Sequence, residues 1–316
     1  MGSKLRIFVT GACGYKGSVL VPKLLARGHE VVAFDAMWFG NFLETHPRLQ
    51  VVRGDVCAPE TVDLEGVDAI IHLSSVANDP CSDLAPKLTW EISALATMCL
   101  ADMAVRRGVK RFIYASSGSV YGVKEEPQVT EDLRLEPISE YNKTKMVAER
   151  VLLSYSGDMV VQIVRPATVC GWSPRMRLDV SVNMLTMQAL TRRQITVFGG
   201  AQVRPNIHIE DITDVYLHLL DHPEFTGIYN AGFENLSIRD IAERVAHCVP
   251  ADIVTSPSND PRSYRVNSDK LLATGFRPRK TVDDAISDIA ERFRAGELQD
   301  EDRWYNLRWM KREVVR

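Results

Sequence analysis

The chain has 316 residues, 45% hydrophobic and 25% charged, with a formal net charge of −3. That balance argues against a general nucleic-acid or acidic-membrane role, and the sequence reads as carrying neither a signal peptide nor an apolar run long enough to span a bilayer. Six scattered cysteines (Cys13, Cys57, Cys81, Cys99, Cys170 and Cys248) form no C-x-x-C pair, so free thiols in a reducing cytoplasm and no metal site are expected.

A short apolar run at 5–10 breaks into Gly11, Gly14 and Gly17, and an amphipathic helical pattern follows over 18–27. Strand, glycine loop and helix in that order form a dinucleotide cradle. Gly11 permits the sharp turn, Gly14 lets backbone approach a pyrophosphate, and Gly17 lets helix and strand pack closely. Tyr15 and Lys16 lie inside the loop. Cys13 reads as a small buried side chain rather than a redox group. A second apolar run at 30–35 ends in Asp35, and an acidic residue about 20 positions past such a loop accepts the hydroxyls of an adenosine ribose. Its carboxylate would repel the 2′-phosphate of NADP, which predicts NAD as the cofactor.

Further strands are predicted at 50–53, 68–73, 110–116 and 159–165, with long helices at 86–107 and 142–156. Strict alternation with near-continuous apolar strands argues for a doubly wound parallel sheet covered on both faces. The strand ending at Ala115 runs into Ser116-Ser117-Gly118-Ser119-Val120-Tyr121-Gly122, at the strand ends where such sheets bind ligands. Tyr141 and Lys145 follow, one turn apart on one helical face.

After Gly171 the character changes. Pro174, Arg175 and Arg177 open an irregular stretch. Helices are predicted near 181–191, 210–220, 238–247 and 281–295, with short strands near 195–198 and 206–209. Two regions are expected, a nucleotide-binding one over 1–170 and a smaller α/β substrate-binding one over 171–316, packed directly together. The tail carries Trp304 and Trp309, which would dock on the body or on a second subunit.

These motifs resemble the extended short-chain dehydrogenase/reductase family, in its nucleotide-sugar epimerase/dehydratase group. The resemblance is carried by Thr10-Gly11-x-x-Gly14-x-x-Gly17, Asp35, Gly54-Asp55-Val56, His72-Leu73-Ser74-Ser75, Ser116-Ser117, Tyr141-x-x-x-Lys145, Arg165-Pro166 and Arg204 to Asp211, over nearly the whole chain. It implies a Rossmann-type fold, NAD as cofactor, a nucleotide-diphosphate sugar as substrate, and a homodimer paired through the helices at 86–107 and 142–156. It further implies that Asp55 and Val56 hold the adenine. Leu73, Ser74 and Ser75 would line the pyrophosphate side and nearby ribose, with Pro166 also at the cofactor and Lys145 on the nicotinamide ribose. Tyr141 would be the acid/base and Ser117 its partner on the sugar hydroxyl. Ser119, Thr168, Asn183, Arg204 and Arg262 would face the substrate. Lys16 stands where the family commonly has an apolar residue, and would touch a phosphate or point outward. Ser93 replaces a usual Asn.

Departures narrow the reaction. Related 4,6-dehydratases carry an Asp-Glu pair where this chain has Gly118 and Ser119, and related decarboxylases tend to carry a Glu there. Double epimerase-reductases use a Cys and a His at places that look like Ser119 and Ser173 here. Chemistry at one carbon remains: a 4-epimerase acting through a transient 4-keto sugar, with a 4-keto-sugar reductase and a non-catalytic NAD sensor as rivals. A tyrosine base requires help. Bringing a phenol from a pKa near 10 to about 7 takes roughly 4 kcal/mol, which an adjacent Lys145 ammonium and a nicotinamide cation would supply.

Overall fold

A computed structural model describes residues 4–258 and 263–315; Arg262 lies outside them. In chain order the strands are β1 (Arg6–Thr10), β2 (Glu30–Asp35), β3 (Leu49–Arg53), β4 (Ala69–His72), β5 (Arg111–Ala115), β6 (Val160–Pro166), β7 (Thr168–Cys170), β8 (Gln194–Phe198), β9 (Val203–His208), β10 (Gly227–Ala231), β11 (Glu234–Ser237) and β12 (Asp252–Ser256). The helices are α1 (Gly17–Ala26), α2 (Asp79–Leu84), α3 (Pro86–Trp90), α4 (Ala96–Arg106), α5 (Glu140–Ser154), α6 (Ser181–Arg192), α7 (Ile209–Asp221), α8 (Ile238–Cys248), α9 (Asp269–Ala273), α10 (Val282–Arg294) and α11 (Asn306–Glu313).

Seven parallel strands form the main sheet in the order β10-β6-β5-β4-β1-β2-β3. Strand side chains alternate between two buried faces, as a sheet sandwiched by helices requires. Ile7, Val9, Ile71 and Ile113 pack under α1 and α7 with Leu20, Leu24, Val215 and Leu219. Phe8, Ile70 and Phe112 pack on the other side with Leu100, Ala148 and Leu152 from α4 and α5. The strand order reverses between β1 and β4, so a crevice opens beyond Thr10 and His72 at the switch point where doubly wound sheets bind ligands. A smaller assembly follows: α6, α8 and α10 bury Val182, Leu185, Ile241, Val245 and Ile286 beside the parallel pair β8 and β12. A three-stranded sheet, β11-β9-β7, stands between.

Three expectations change. The division at 170 does not partition the main sheet, because β10 pairs with β6 (Tyr229 opposite Val164) and α7 covers the sheet beside α1. The helix expected at 86–107 is interrupted by a π-helical turn over Glu91–Leu95, where Ser93 Oγ meets Ser75 Oγ at 3.1 Å. Such turns cluster at functional sites. Pro86–Arg106 is also long and apolar enough to cross a membrane by length and composition, contrary to the reading of the sequence. Half of its apolar window is buried in the fold.

Candidate active site

A cavity of about 340 Å³ occupies the crevice, in the range of small-ligand sites. Its floor is the glycine loop. Gly11 has φ +65°, and a Cβ there would stand 2.8 Å from Ser74 N; only glycine fits both demands. Ser18 N donates to Gly14 O (2.9 Å) and starts α1, so the first helical amides point at the cavity. Asp35 fastens the loop to β2: its carboxylate accepts from Cys13 N (3.0 Å) and Met37 N (2.6 Å). Burial raises the Asp35 pKa, and those two amides hold it down.

Tyr141 and Lys145 come from α5. Ser139 caps that helix, accepting from Asn142 N (3.2 Å) and donating to Asp79 Oδ1 (2.6 Å). Ser117 leaves the end of β5 and caps a short 3-10 turn over Gly118–Tyr121. Ser117 Oγ lies 2.7 Å from Ser119 Oγ, which donates to Asn142 Oδ1 at 2.5 Å. Lys145 Nζ donates to Ala115 O (2.8 Å) and stands 5.9 Å from the centre of the Tyr141 ring. Burial is the largest influence on both groups. It lowers the Lys145 pKa well below normal, with Lys16 adding repulsion and Glu149 opposing. It raises the Tyr141 pKa, against a hydrogen bond from Ser117 and the charge of Arg177. The expected lowering of the phenol by Lys145 is therefore not a property of the protein alone.

The cavity brings together Gly11, Gly14, Tyr15, Lys16, Gly17, Asp35, Asp55, Val56, Leu73, Ser74, Ser75 and Pro166 with Ser117, Ser119, Tyr141, Lys145 and Thr168. Lys16 points inward: its Nζ is 3.4 Å from Tyr216 Oη, and burial brings its pKa down to about 8. Two expected substrate residues are placed elsewhere. Asn183 is fully buried; its Oδ1 accepts from Gly171 N (3.0 Å), and its Nδ2 donates to Tyr15 Oη (3.0 Å) and Arg177 O (2.8 Å). With its amide used up, it buttresses the loop instead of facing the cavity. Arg204, on β9, donates to Val203 O (3.1 Å) and does not line the cavity.

Reading the sequence missed Trp38, Phe39, Arg175, Arg177 and Asn306, all of which line the cavity. The clustered Arg175 and Arg177 were the available signal.

A glycine cradle at a sheet's switch point, an acidic residue ending β2, and Ser, Tyr and Lys converging beside them define an oxidoreductase-type enzyme of the extended short-chain dehydrogenase class, built to hold a dinucleotide. The chain belongs to the NAD dependent epimerase/dehydratase family, whose model matches residues 7–232. It is 25% identical to the UDP-glucose 4-epimerase of Lactobacillus helveticus, over 90% of this chain and 95% of that one. It is 26% identical to UDP-glucuronic acid decarboxylase 1 of Arabidopsis thaliana, over 95% of this chain and 72% of that one. Among solved structures, the UDP-glucose 4-epimerase of Thermus thermophilus in complex with NAD superposes with a TM-score of 0.82 at 25% identity, covering 92% of this chain and 99% of that one. NAD is the cofactor of this family and of that neighbour.

Proposed function

We propose that the protein is an NAD-dependent 4-epimerase of a nucleotide-diphosphate sugar. The observation that carries this reading is the pairing of Ser117, Tyr141 and Lys145 with a non-acidic Gly118 and Ser119. Elimination of water calls for an additional acid or base at that turn, and related decarboxylases tend to carry a Glu there, whereas inversion at one carbon calls for a single proton-transfer group and a hydride carrier. A side chain at 118 would also be crowded: a Cβ there would stand 3.2 Å from Pro166 O.

In this reading Tyr141 takes the proton of the sugar hydroxyl and later returns it, while Ser117 orients the same oxygen. Lys145 holds its ammonium below the ring and against Ala115 O. NAD, when bound, supplies the hydride acceptor and donor and a positive ring that favours the phenolate. Gly11, Gly14, Gly17 and Asp35 would hold the dinucleotide. Thr168 and Ser119 remain the proposed sugar contacts, and Arg262 a proposed diphosphate contact. The six unpaired thiols fit a reducing compartment such as the cytoplasm.

The test is incubation of purified protein, without added cofactor, with epimeric pairs of UDP-hexoses and UDP-hexuronic acids, and separately with 4-keto sugars plus NADH. Interconversion of one pair is expected. Stoichiometric NADH consumption with a 4-keto sugar and no epimer exchange would establish the reductase instead. Release of carbon dioxide from a hexuronic acid would establish a decarboxylase.

A further inference from the structure

The last helix lies beyond the stretch that the family model matches, and the proton-transfer chemistry makes no use of it. It is nonetheless built onto the cofactor cleft. Trp304 is buried against Phe42, with ring centres 5.6 Å apart, and its carbonyl accepts from Leu178 N (2.8 Å). Trp309 Nε1 donates to Trp38 O (2.6 Å). Met310 is buried among Val76, Cys81 and Ile92. Asn306 N donates to Asp179 Oδ2 (3.3 Å), which also accepts from Asn78 Nδ2 (2.9 Å). The segment thus fastens the loop after Asp35 to the loop after Ser75, the two walls at one end of the crevice.

At that junction sits an unusual cation. Arg175 is 2% exposed and lines the cavity. It donates to Asn306 Oδ1 (2.6 Å) and Met176 O (3.0 Å), and its guanidinium lies 3.8 Å from the centre of the Phe39 ring. Among the described residues its Nε has no hydrogen-bond partner and no carboxylate lies within ion-pair distance of it. Burial and the neighbouring Arg177 weaken its hold on the proton, against the more distant carboxylates of Asp179 and Asp35, to a pKa of about 9. A buried guanidinium whose direct hydrogen-bond partners are neutral oxygens has its desolvation offset only in part by carboxylates at longer range, and an anion in the cavity would complete it. Phosphate is the group whose shape and charge suit a guanidinium fork, and a dinucleotide brings two phosphates into this cavity.

We propose that Arg175, presented by Asn306, binds the pyrophosphate of NAD from the side opposite the glycine loop, and that residues 304–310 are a strap that retains the bound cofactor. This rests on NAD binding, not on which sugar reaction follows.

The experiment measures NAD affinity by calorimetry and NAD dissociation rate by tryptophan fluorescence, so its failure leaves the epimerase reading standing. Arg175→Gln is expected to weaken NAD binding by about 10–100-fold, the range for a lost hydrogen bond to a charged group. Asn306→Ala is expected to speed NAD release, whereas Lys311→Ala, exposed on the same helix beyond the strap, is expected to leave both quantities unchanged. NAD affinity and release like wild type in both Arg175→Gln and Asn306→Ala would overturn the proposal. Hydrogen exchange on the unaltered protein gives a second reading that needs no variant. Adding NAD to cofactor-free protein is expected to slow exchange at 304–310, and unchanged exchange there would also overturn the proposal.

Discussion

Tyr141 is the residue at which the chemistry is most exposed to test. Its ring is partly buried in the cleft, and in the proposed reaction its hydroxyl is the part that transfers a proton. Tyr141→Phe is expected to lower turnover by at least ~100-fold, the usual worth of a positioned acid/base, while calorimetry finds NAD affinity close to wild type. Turnover like wild type would remove Tyr141 from its assigned role. His72 shows a different consequence of burial. It ends β4, with Nδ1 2.6 Å from Thr10 Oγ1 and Nε2 2.9 Å from Thr97 Oγ1. Burial and the charge of Lys145 push its pKa from 6.5 down to about 3. The folded protein therefore keeps a neutral imidazole where the unfolded chain takes up a proton. Because the unfolded state binds more protons in that window, stability falls as pH drops from about 6.5 toward 3. His72→Gln is expected to show a shallower decline of Tm with acidification than wild type, read by thermal denaturation across that range.

Between helix and sheet, a buried ion pair ties the helix that carries Tyr141 and Lys145 to the strand β6. Glu149 on α5 and Arg165 on β6 are almost wholly buried and meet through two bonds, Nε to Oε1 at 2.9 Å and Nη2 to Oε2 at 2.6 Å. Ser116 donates to Glu149 Oε1 at 2.5 Å. Arg165 Nη1 donates to Tyr121 Oη (2.7 Å), which donates to Asn230 Oδ1 (2.8 Å) on β10. Glu149→Ala strands a buried guanidinium and is expected to lose about 3–5 kcal/mol in urea denaturation. Replacing both partners with apolar residues of similar volume is expected to recover much of that. A loss of only about 0–1 kcal/mol, as for an exposed pair, would show the network to be dispensable. Elements of this kind were legible in the sequence to different depths. Strands β1 to β6, the glycine loop and the Tyr141–Lys145 face are local patterns, and local periodicity reads them. The five-residue strand β10 carries no alternation and sits after a long excursion, so nothing nearby marks it as part of the main sheet. Asn183 and Arg204 were placed by resemblance, which fixes a position along the chain but not which way an amide or guanidinium turns. Arg175 and Asn306 meet across most of the smaller region, and no spacing rule links them.

As a whole molecule, the protein leaves part of one face apolar. Leu95 is 53% exposed and Met98 44% exposed, both on the stretch Pro86–Arg106 that flanks α5. Large apolar side chains together on a helical face favour a self-complementary, two-fold contact. Light scattering at micromolar concentration is expected to give twice the 35.5 kDa of one chain, and Leu95→Glu with Met98→Glu is expected to give a monomer. A monomer mass for the unaltered protein would refute this assembly.

The late arrival of β10 bears on how the chain is born. A polypeptide leaving the ribosome completes β6 well before Gly227–Ala231 emerges, so the nascent sheet has an unpaired edge and, without α7, an uncovered apolar face. Even Gln162, buried in β6, waits for its partners: its amide donates to the carbonyls of Leu219, His222 and Phe225, each at 2.9 Å. Translation through the intervening segment is therefore the interval in which the chain is most open to aggregation and most in need of a chaperone. A fragment ending at residue 170 is expected to be insoluble on its own, however complete its dinucleotide motifs.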